Sequence, residues 1–180
     1  MPAMLSPRRY FLSLGMWLML CLSAAPAAAN SASVVASNQQ IAVFAGGCFW
    51  GVDAIFKHVK GVSEVVSGYA GGTASTATYD LVSSGATGHA EAVRVSFDPT
   101  QISYPQLLQI FFSVAHDPTQ LNRQGPDVGS QYRSVVFYTT AEQQEIAQRY
   151  IQQLTAAHTF SGHIRTQVTP RTSSSSPCTR

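Results

Sequence analysis

A cysteine follows two glycines and precedes two aromatics in Gly46-Gly47-Cys48-Phe49-Trp50-Gly51, a set of residue types that could serve nucleophilic chemistry. Upstream, Ile41 to Ala45 is a short apolar run, and downstream Phe49, Val52, Ile55, Phe56 and Val59 recur at helical spacing. The pattern predicts a strand ending before Cys48 and a helix beginning after it. Unpaired N–H groups and the positive end of the helix dipole favour negative charge there, so the thiol is expected to ionise more readily than a free one. Two glycines let the backbone turn tightly, and Phe49 and Trp50 can wall a small apolar pocket. The competing reading is a cysteine packed as a small hydrophobe, since free cysteine is among the most buried residue types.

A second group lies in His89-Ala-Glu-Ala-Val-Arg-Val-Ser-Phe97, where alternation puts Glu91 on one face with Val93, Val95 and Phe97. Desolvation raises a carboxyl pKa, so a glutamate on an apolar face can stay protonated near neutrality and act as a general acid. Alternatively, Glu91 sits at an exposed strand start or pairs with Arg94 or Arg133. Tyr79 and Tyr132 fall in two long loops, where each is either a phenolic donor to a substrate oxygen or a packing residue. Asp127, in Gly125-Pro-Asp-Val-Gly129, has the setting of a turn former. His89 and His116 are candidate general bases, which would make the chain a cysteine–histidine hydrolase.

The elements that must carry these residues follow from periodicity. The first helix should stop at Lys57, His58 and Lys60 before Gly61, and Val62–Gly68 reads as a strand. Residues 69–88 read as a long structured loop, followed by a strand over Ala90–Phe97 that Asp98-Pro99 ends. Ser103 should cap a helix with Pro105 in its first turn and Leu107, Leu108, Ile110, Phe111 and Val114 on its apolar face. A second long loop spans His116 to Gln131, Ser134–Thr139 reads as a strand, and Thr140-Ala-Glu-Gln143 matches a capping box. That box opens a helix directing Ile146, Tyr150, Ile151 and Leu154 inward, with a last short strand near Ile164–Thr169. The order β-α-β-β-α-β predicts an α+β fold, a two-layer ferredoxin-like (split β-α-β) sandwich with long active-site loops and an appended helix and strand.

Residues 1–30 have the features of a signal peptide: Arg8-Arg9, an apolar stretch from Tyr10 to Ala25, and small residues up to Ala29. The arginine pair before Phe11-Leu12 also resembles a twin-arginine signal, with Pro7 out of pattern. An exported protein, periplasmic or secreted, is expected, with no stable membrane association after cleavage; lipid anchoring at Cys21 and an uncleaved anchor are the minority readings. Residues 31–40 read as a linker, 41–170 as one domain, and 171–180 as a disordered Ser-rich tail. Between Asn30 and Pro170 seven Lys and Arg face nine Asp and Glu, a net −2 that leaves no electrostatic footprint for nucleic acid. Cys48 and Cys178 alone would survive maturation, too few for a disulfide framework, and with no clustered histidines a zinc site is not expected.

Four segments in order carry a resemblance: Gly47-Cys-Phe-Trp-Gly51, Tyr79, Thr87-Gly-His-Ala-Glu-Ala-Val-Arg94, and His116 through Ser134. From about Ile41 to about Pro170 the chain resembles the A-type peptide methionine sulfoxide reductases. The resemblance implies reduction of the S epimer of methionine sulfoxide, free or in oxidised proteins, with no metal or bound cofactor. It implies Cys48 as nucleophile and Glu91 as acid, Tyr79 and Tyr132 holding the sulfoxide oxygen, Phe49 and Trp50 enclosing the methyl group, and Asp127 in the supporting network.

The chain departs from that family near its C-terminus, where relatives often keep resolving cysteines after a Tyr-His-Gln element. Here the match weakens after Phe160, and Arg171 to Arg180 resembles no part of the family. Direct attack on oxidised Cys48 by a thioredoxin-like protein or a small thiol is the expected recycling route, with Cys178 reaching back as the alternative. Two other functions compete: a degenerate, non-catalytic binder of oxidised peptides, and a thiol peroxidase.

Overall fold

The computed structural model describes residues 38–171; the expected leader, most of the expected linker, and the tail from 172 with Cys178 lie outside them. β1 (Gln40–Ala45) leads through Cys48 into α1 (Phe49–Lys57), and β2 (Val62–Ala70) returns alongside. A short α2 (Tyr79–Ser83) interrupts the connection to β3 (Ala90–Phe97), which is followed by α3 (Tyr104–Ile110). A two-residue hairpin, β4 (Arg123–Gln124) and β5 (Asp127–Val128), precedes β6 (Val135–Tyr138), α4 (Ala141–Ala156) and β7 (Gln167–Pro170).

The main sheet has the order β2-β3-β1-β6-β7. β3 runs antiparallel between β2 and β1, β6 pairs antiparallel with β1, and β7 is parallel to β6. β2, β3, β1 and β6 thus form the split β-α-β arrangement, with α1 crossing over β3, and α4 with β7 is the appendage.

Strand alternation sorts the core into two clusters. Ala42, Phe44, Val93, Val95, Phe97 and Val136 face the helices and meet Val52, Phe56, Leu107, Leu108, Phe111 and Ala147. Val43, Ala45, Ala90, Ala92, Val135 and Phe137 form a second cluster on the opposite face. Phe44 is fully buried, stacked 4.8 Å from Phe111 and 5.3 Å from Phe56, so it ties β1 to both α1 and the end of α3. Burying a side chain of this size stabilises by roughly 1.5–3 kcal/mol, which anchors β1 next to the turn that follows it.

Several sequence expectations need correction. Tyr69 belongs to β2 and is buried, so the expected loop starts later and contains α2. Val114 is exposed, because α3 gives way at Phe111 to a π-helical turn (Phe111–Ala115) that buries Phe111 and Phe112 and rotates Val114 outward. The cap of α4 is only half a capping box. Thr140 Oγ1 accepts from the Gln143 N–H, but Gln143 Oε1 accepts from Thr139 N–H and its Nε2 donates to Ile41 O. Gln143 is thereby drawn inward and buried, tying α4 to β1.

Candidate active site

The turn between β1 and α1 is built by close approach. Gly46 packs where an added Cβ would lie 2.8 Å from the His116 ring, and Gly47 has φ +90° with Gln124 Cγ 2.6 Å from its missing Cβ. Any side chain at Gly47 would therefore be strained twice, in backbone and in space. Gln124 is fixed in turn, its Oε1 accepting from Asp117 N–H and its Nε2 donating to Asp117 O. The hairpin loop is thus seated directly against the chain entering Cys48.

Cys48 occupies the N-cap of α1 and is partly exposed; it is the cysteine the described residues contain. The next N–H of the helix, that of Phe49, donates to Glu91 Oε2 at 3.0 Å. Glu91 is 5% exposed, stands opposite Tyr69 in the β2–β3 register, and lies on the helix face of β3 as alternation required. Desolvation raises its carboxyl above the ordinary range; the Phe49 N–H works against that rise, and the Asp127 charge adds to it. Neither arginine weighed as its partner fills that role. Arg94 pairs with Glu64, and Arg133 donates to backbone carbonyls.

Tyr132 closes a 3₁₀ turn (Ser130–Tyr132) after β5. Burial pushes its phenol up, and electrostatic interaction with Glu91, Asp127, Cys48 and Tyr79 pushes the same way, so these groups share one neighbourhood. Five of the expected site residues therefore converge. Of the two aromatics, Phe49 turns inward, 6% exposed and 5.7 Å from the Tyr69 ring, whereas Trp50 is 73% exposed beside it. Tyr79, at the start of α2, is also exposed.

The histidines have other partners. His116 Nδ1 faces Phe111 O at 3.0 Å and Nε2 faces Ser134 Oγ at 2.6 Å; a carbonyl only accepts, so Nδ1 carries the proton and Ser134 donates to Nε2. Burial lowers the His116 pKa to about 4, and the ring stacks on Phe111 at 4.1 Å. His89 is 1% exposed, accepts from Gly72 N–H at Nδ1 and donates from Nε2 to Thr73 O. Both imidazoles are taken up by backbone and hydroxyl partners, so neither is the base beside Cys48 that the cysteine–histidine hydrolase reading requires.

One residue escaped the sequence reading in the role it holds here. Arg133 Nη1 donates to His89 O at 3.0 Å and Ser130 O at 2.8 Å, and Nη2 to Gly88 O at 2.9 Å. It clasps the entry of β3, two residues before Glu91, to the turn that carries Tyr132. It follows Gln131-Tyr132 directly, which was the available signal, but two of the three carbonyls it grips lie 44 and 45 residues away.

The site is thus a ferredoxin-like domain holding a thiol at a helix N-cap, beside a buried carboxyl and near tyrosine-bearing loops. The family model described as Peptide methionine sulfoxide reductase matches residues 40–175, and the chain belongs to that family. It is 55% identical over 139 residues to peptide methionine sulfoxide reductase MsrA 2 of Synechocystis sp., across 77% of this chain and 65% of that one. The chain therefore spans just under two thirds of that relative. Over 129 residues it is 54% identical to peptide methionine sulfoxide reductase MsrA of Acidobacterium capsulatum, across 72% and 82% of the two chains. Among solved structures, reduced Mxr1 of Saccharomyces cerevisiae superposes with a TM-score of 0.70 at 30% identity, covering 74% of this chain and 77% of that one. Methionine sulfoxide reductase A of Corynebacterium diphtheriae gives 0.64 at 36%, covering 76% and 66%.

Proposed function

We propose that this chain reduces methionine-S-sulfoxide, free or within oxidised proteins, to methionine. The observation that carries the reading is the pairing of Cys48 at the N-cap with Glu91, buried and bonded to the very next N–H. The Cys48 thiolate attacks the sulfoxide sulfur with its electron pair while Glu91 gives a proton to the oxygen, because expelling an unprotonated oxygen is prohibitive. Tyr132 and Tyr79 donate hydrogen bonds to that oxygen, and Asp127 supports the network from β5. The exposed Trp50 ring and the edge of Phe49 enclose the methyl group. The protonated oxygen leaves the substrate sulfur as water, a water oxygen then attacks the Cys48 sulfur, and methionine departs with the electron pair of the S–S bond, leaving Cys48 as a sulfenic acid.

An external thiolate then attacks the Cys48 sulfur, releasing water, and a second thiol resolves the mixed disulfide. A thioredoxin-like protein or a small thiol fills this role, and the family membership supports it. The leader-like residues 1–30 support export to the periplasm or outside the cell as the place of action. The test is stereochemical. Full-length protein supplied with dithiothreitol and then thioredoxin should consume the S epimer and spare the R epimer. Equal consumption of both, or none by a cooperatively folded protein, would reject the proposal.

A further inference from the structure

His89 immediately precedes β3, and its buried imidazole reaches back to the connection that leaves β2. Nδ1 accepts the Gly72 N–H at 3.3 Å, and Nε2 donates to Thr73 O at 3.0 Å, with Thr76 Oγ1 a further acceptor at 3.3 Å. A backbone N–H only donates and a carbonyl only accepts, so these partners admit one tautomer of the neutral ring. The fit is also steric: a Cβ added at Gly72 would lie 2.4 Å from His89 Cδ2, so the backbone there rests directly on the imidazole. One side chain thus holds Gly72, Thr73 and Thr76, the last of them closing a 3₁₀ turn (Ala74–Thr76) shortly before Tyr79.

Tyr79 opens α2 and is exposed, so its own packing does little to fix it, yet its phenol shares the neighbourhood of Tyr132. The helix is five residues long, has no side-chain cap and buries Val82 alone. A helix this short does not hold its shape in water unaided, so its placement comes from what its flanks are tied to. Arg133 ties the far flank through Gly88 O, and His89 ties the near one. We infer that His89 is a positioning residue for the reduction: its imidazole sets the entry of the β2–β3 connection and thereby where the Tyr79 phenol meets the substrate. This deepens the proposed function and rests on its assignment of Tyr79 to the sulfoxide oxygen.

The test is a double-mutant cycle on the full chain, reading kcat/KM for methionine-S-sulfoxide with dithiothreitol. Tyr79→Phe alone and His89→Leu alone should each lower kcat/KM by about tenfold or more. The double variant should match Tyr79→Phe within about twofold, because an imidazole that acts through the phenol has nothing left to place. His89→Asn keeps an acceptor for the Gly72 N–H and His89→Gln a donor for Thr73 O, so each should recover part of the loss. Should His89→Leu fail to melt cooperatively, Gly72→Ala runs the same cycle from the loop side, since its new Cβ pushes the connection off the ring, and the same non-additivity is expected. Losses that multiply in the double variant, or a His89→Leu that melts lower but keeps the wild-type kcat/KM, would overturn the inference. Unchanged kcat/KM in Tyr79→Phe takes Tyr79 away from the substrate and this inference with it, while the chemistry of Cys48 and Glu91 stands. A cooperatively folded wild type without turnover rejects the reductase reading itself.

Discussion

Glu91 Oε2 accepts the Phe49 N–H at 3.0 Å, so the acid is pinned to the same helix end that presents Cys48. The bond restrains the carboxylate through one oxygen and leaves the other for a proton. It also ties β3 to the first turn of α1, next to Cys48.

Replacing Glu91 by Gln keeps an acceptor for the Phe49 N–H and removes only the acidic proton. Turnover should fall by about 10²-fold or more while KM changes little. In the wild type the rate should decline as pH rises through the raised Glu91 pKa. Stability has the same sign: a carboxyl with its folded pKa above its unfolded one contributes fully below the ordinary carboxyl range and loses that contribution as pH rises through the raised value. Denaturant midpoints across pH should therefore be flatter for Glu91→Gln.

His116 has the opposite linkage. Its folded pKa of about 4 lies below the ordinary 6.5, so its contribution is complete above pH 6.5 and is lost as pH falls through about 4. The loss is on the order of 3 kcal/mol, set by about 1.4 kcal/mol per pKa unit. Chemical denaturation from neutral to acid pH should show this decline, and His116→Gln should reduce it while lowering stability at neutral pH.

Glycine substitutions separate crowding from exposure. Gly47→Ala meets Gln124 and a φ of +90°, and should cost about 2 kcal/mol together with most of the activity, since the turn sets the Cys48 backbone. Gly51→Ala has nothing within 4 Å of its new Cβ and lies inside α1, so it should raise stability by up to about 1 kcal/mol. Thermal melts of the two variants should move in opposite directions.

Arg133→Lys tests the clasp. A single ammonium cannot reproduce a guanidinium fork gripping Gly88 O, His89 O and Ser130 O, so the turn bearing Tyr132 loses its tie to β3. Stability should drop by about 1–2 kcal/mol and kcat/KM by about tenfold. Methyl-guanidine added to Arg133→Gly should recover part of the rate.

Local pattern was legible where local chemistry decides it. The alternation that placed Glu91 with Val93, Val95 and Phe97 held because β3 packs one face on the helices, and its ends fell at Ala90 and Phe97 as read. The N-cap position of Cys48 held because strand periodicity ends and helical periodicity begins around it. Contacts between distant segments were not legible. Nothing near Gln124 announces that it fills the space above Gly47, and nothing near His116 announces that it pairs with Ser134, since each contact exists only once the loop is folded over the turn. Val114 was misplaced for a related reason: a π-helical turn breaks the 3.6-residue period without any marker residue. Tyr69 reads as the start of a loop because the segment from Tyr69 to Gly88 is rich in Gly, Ser, Thr and Ala, whereas β2 runs through Gly68 to Ala70.

The account rests on Cys48 and Glu91 acting on one sulfoxide, and a single turnover without reductant tests it most directly. Enzyme mixed with excess methionine-S-sulfoxide should release methionine in a burst stoichiometric with the chain. The Cys48 thiol should be lost in parallel, as a sulfenic acid trappable by dimedone or as a disulfide. Cys48→Ser should give no burst, and Glu91→Gln should give the full amplitude at a much lower rate. A burst that survives loss of the Cys48 sulfur, or a rate indifferent to the Glu91 proton, would contradict the account.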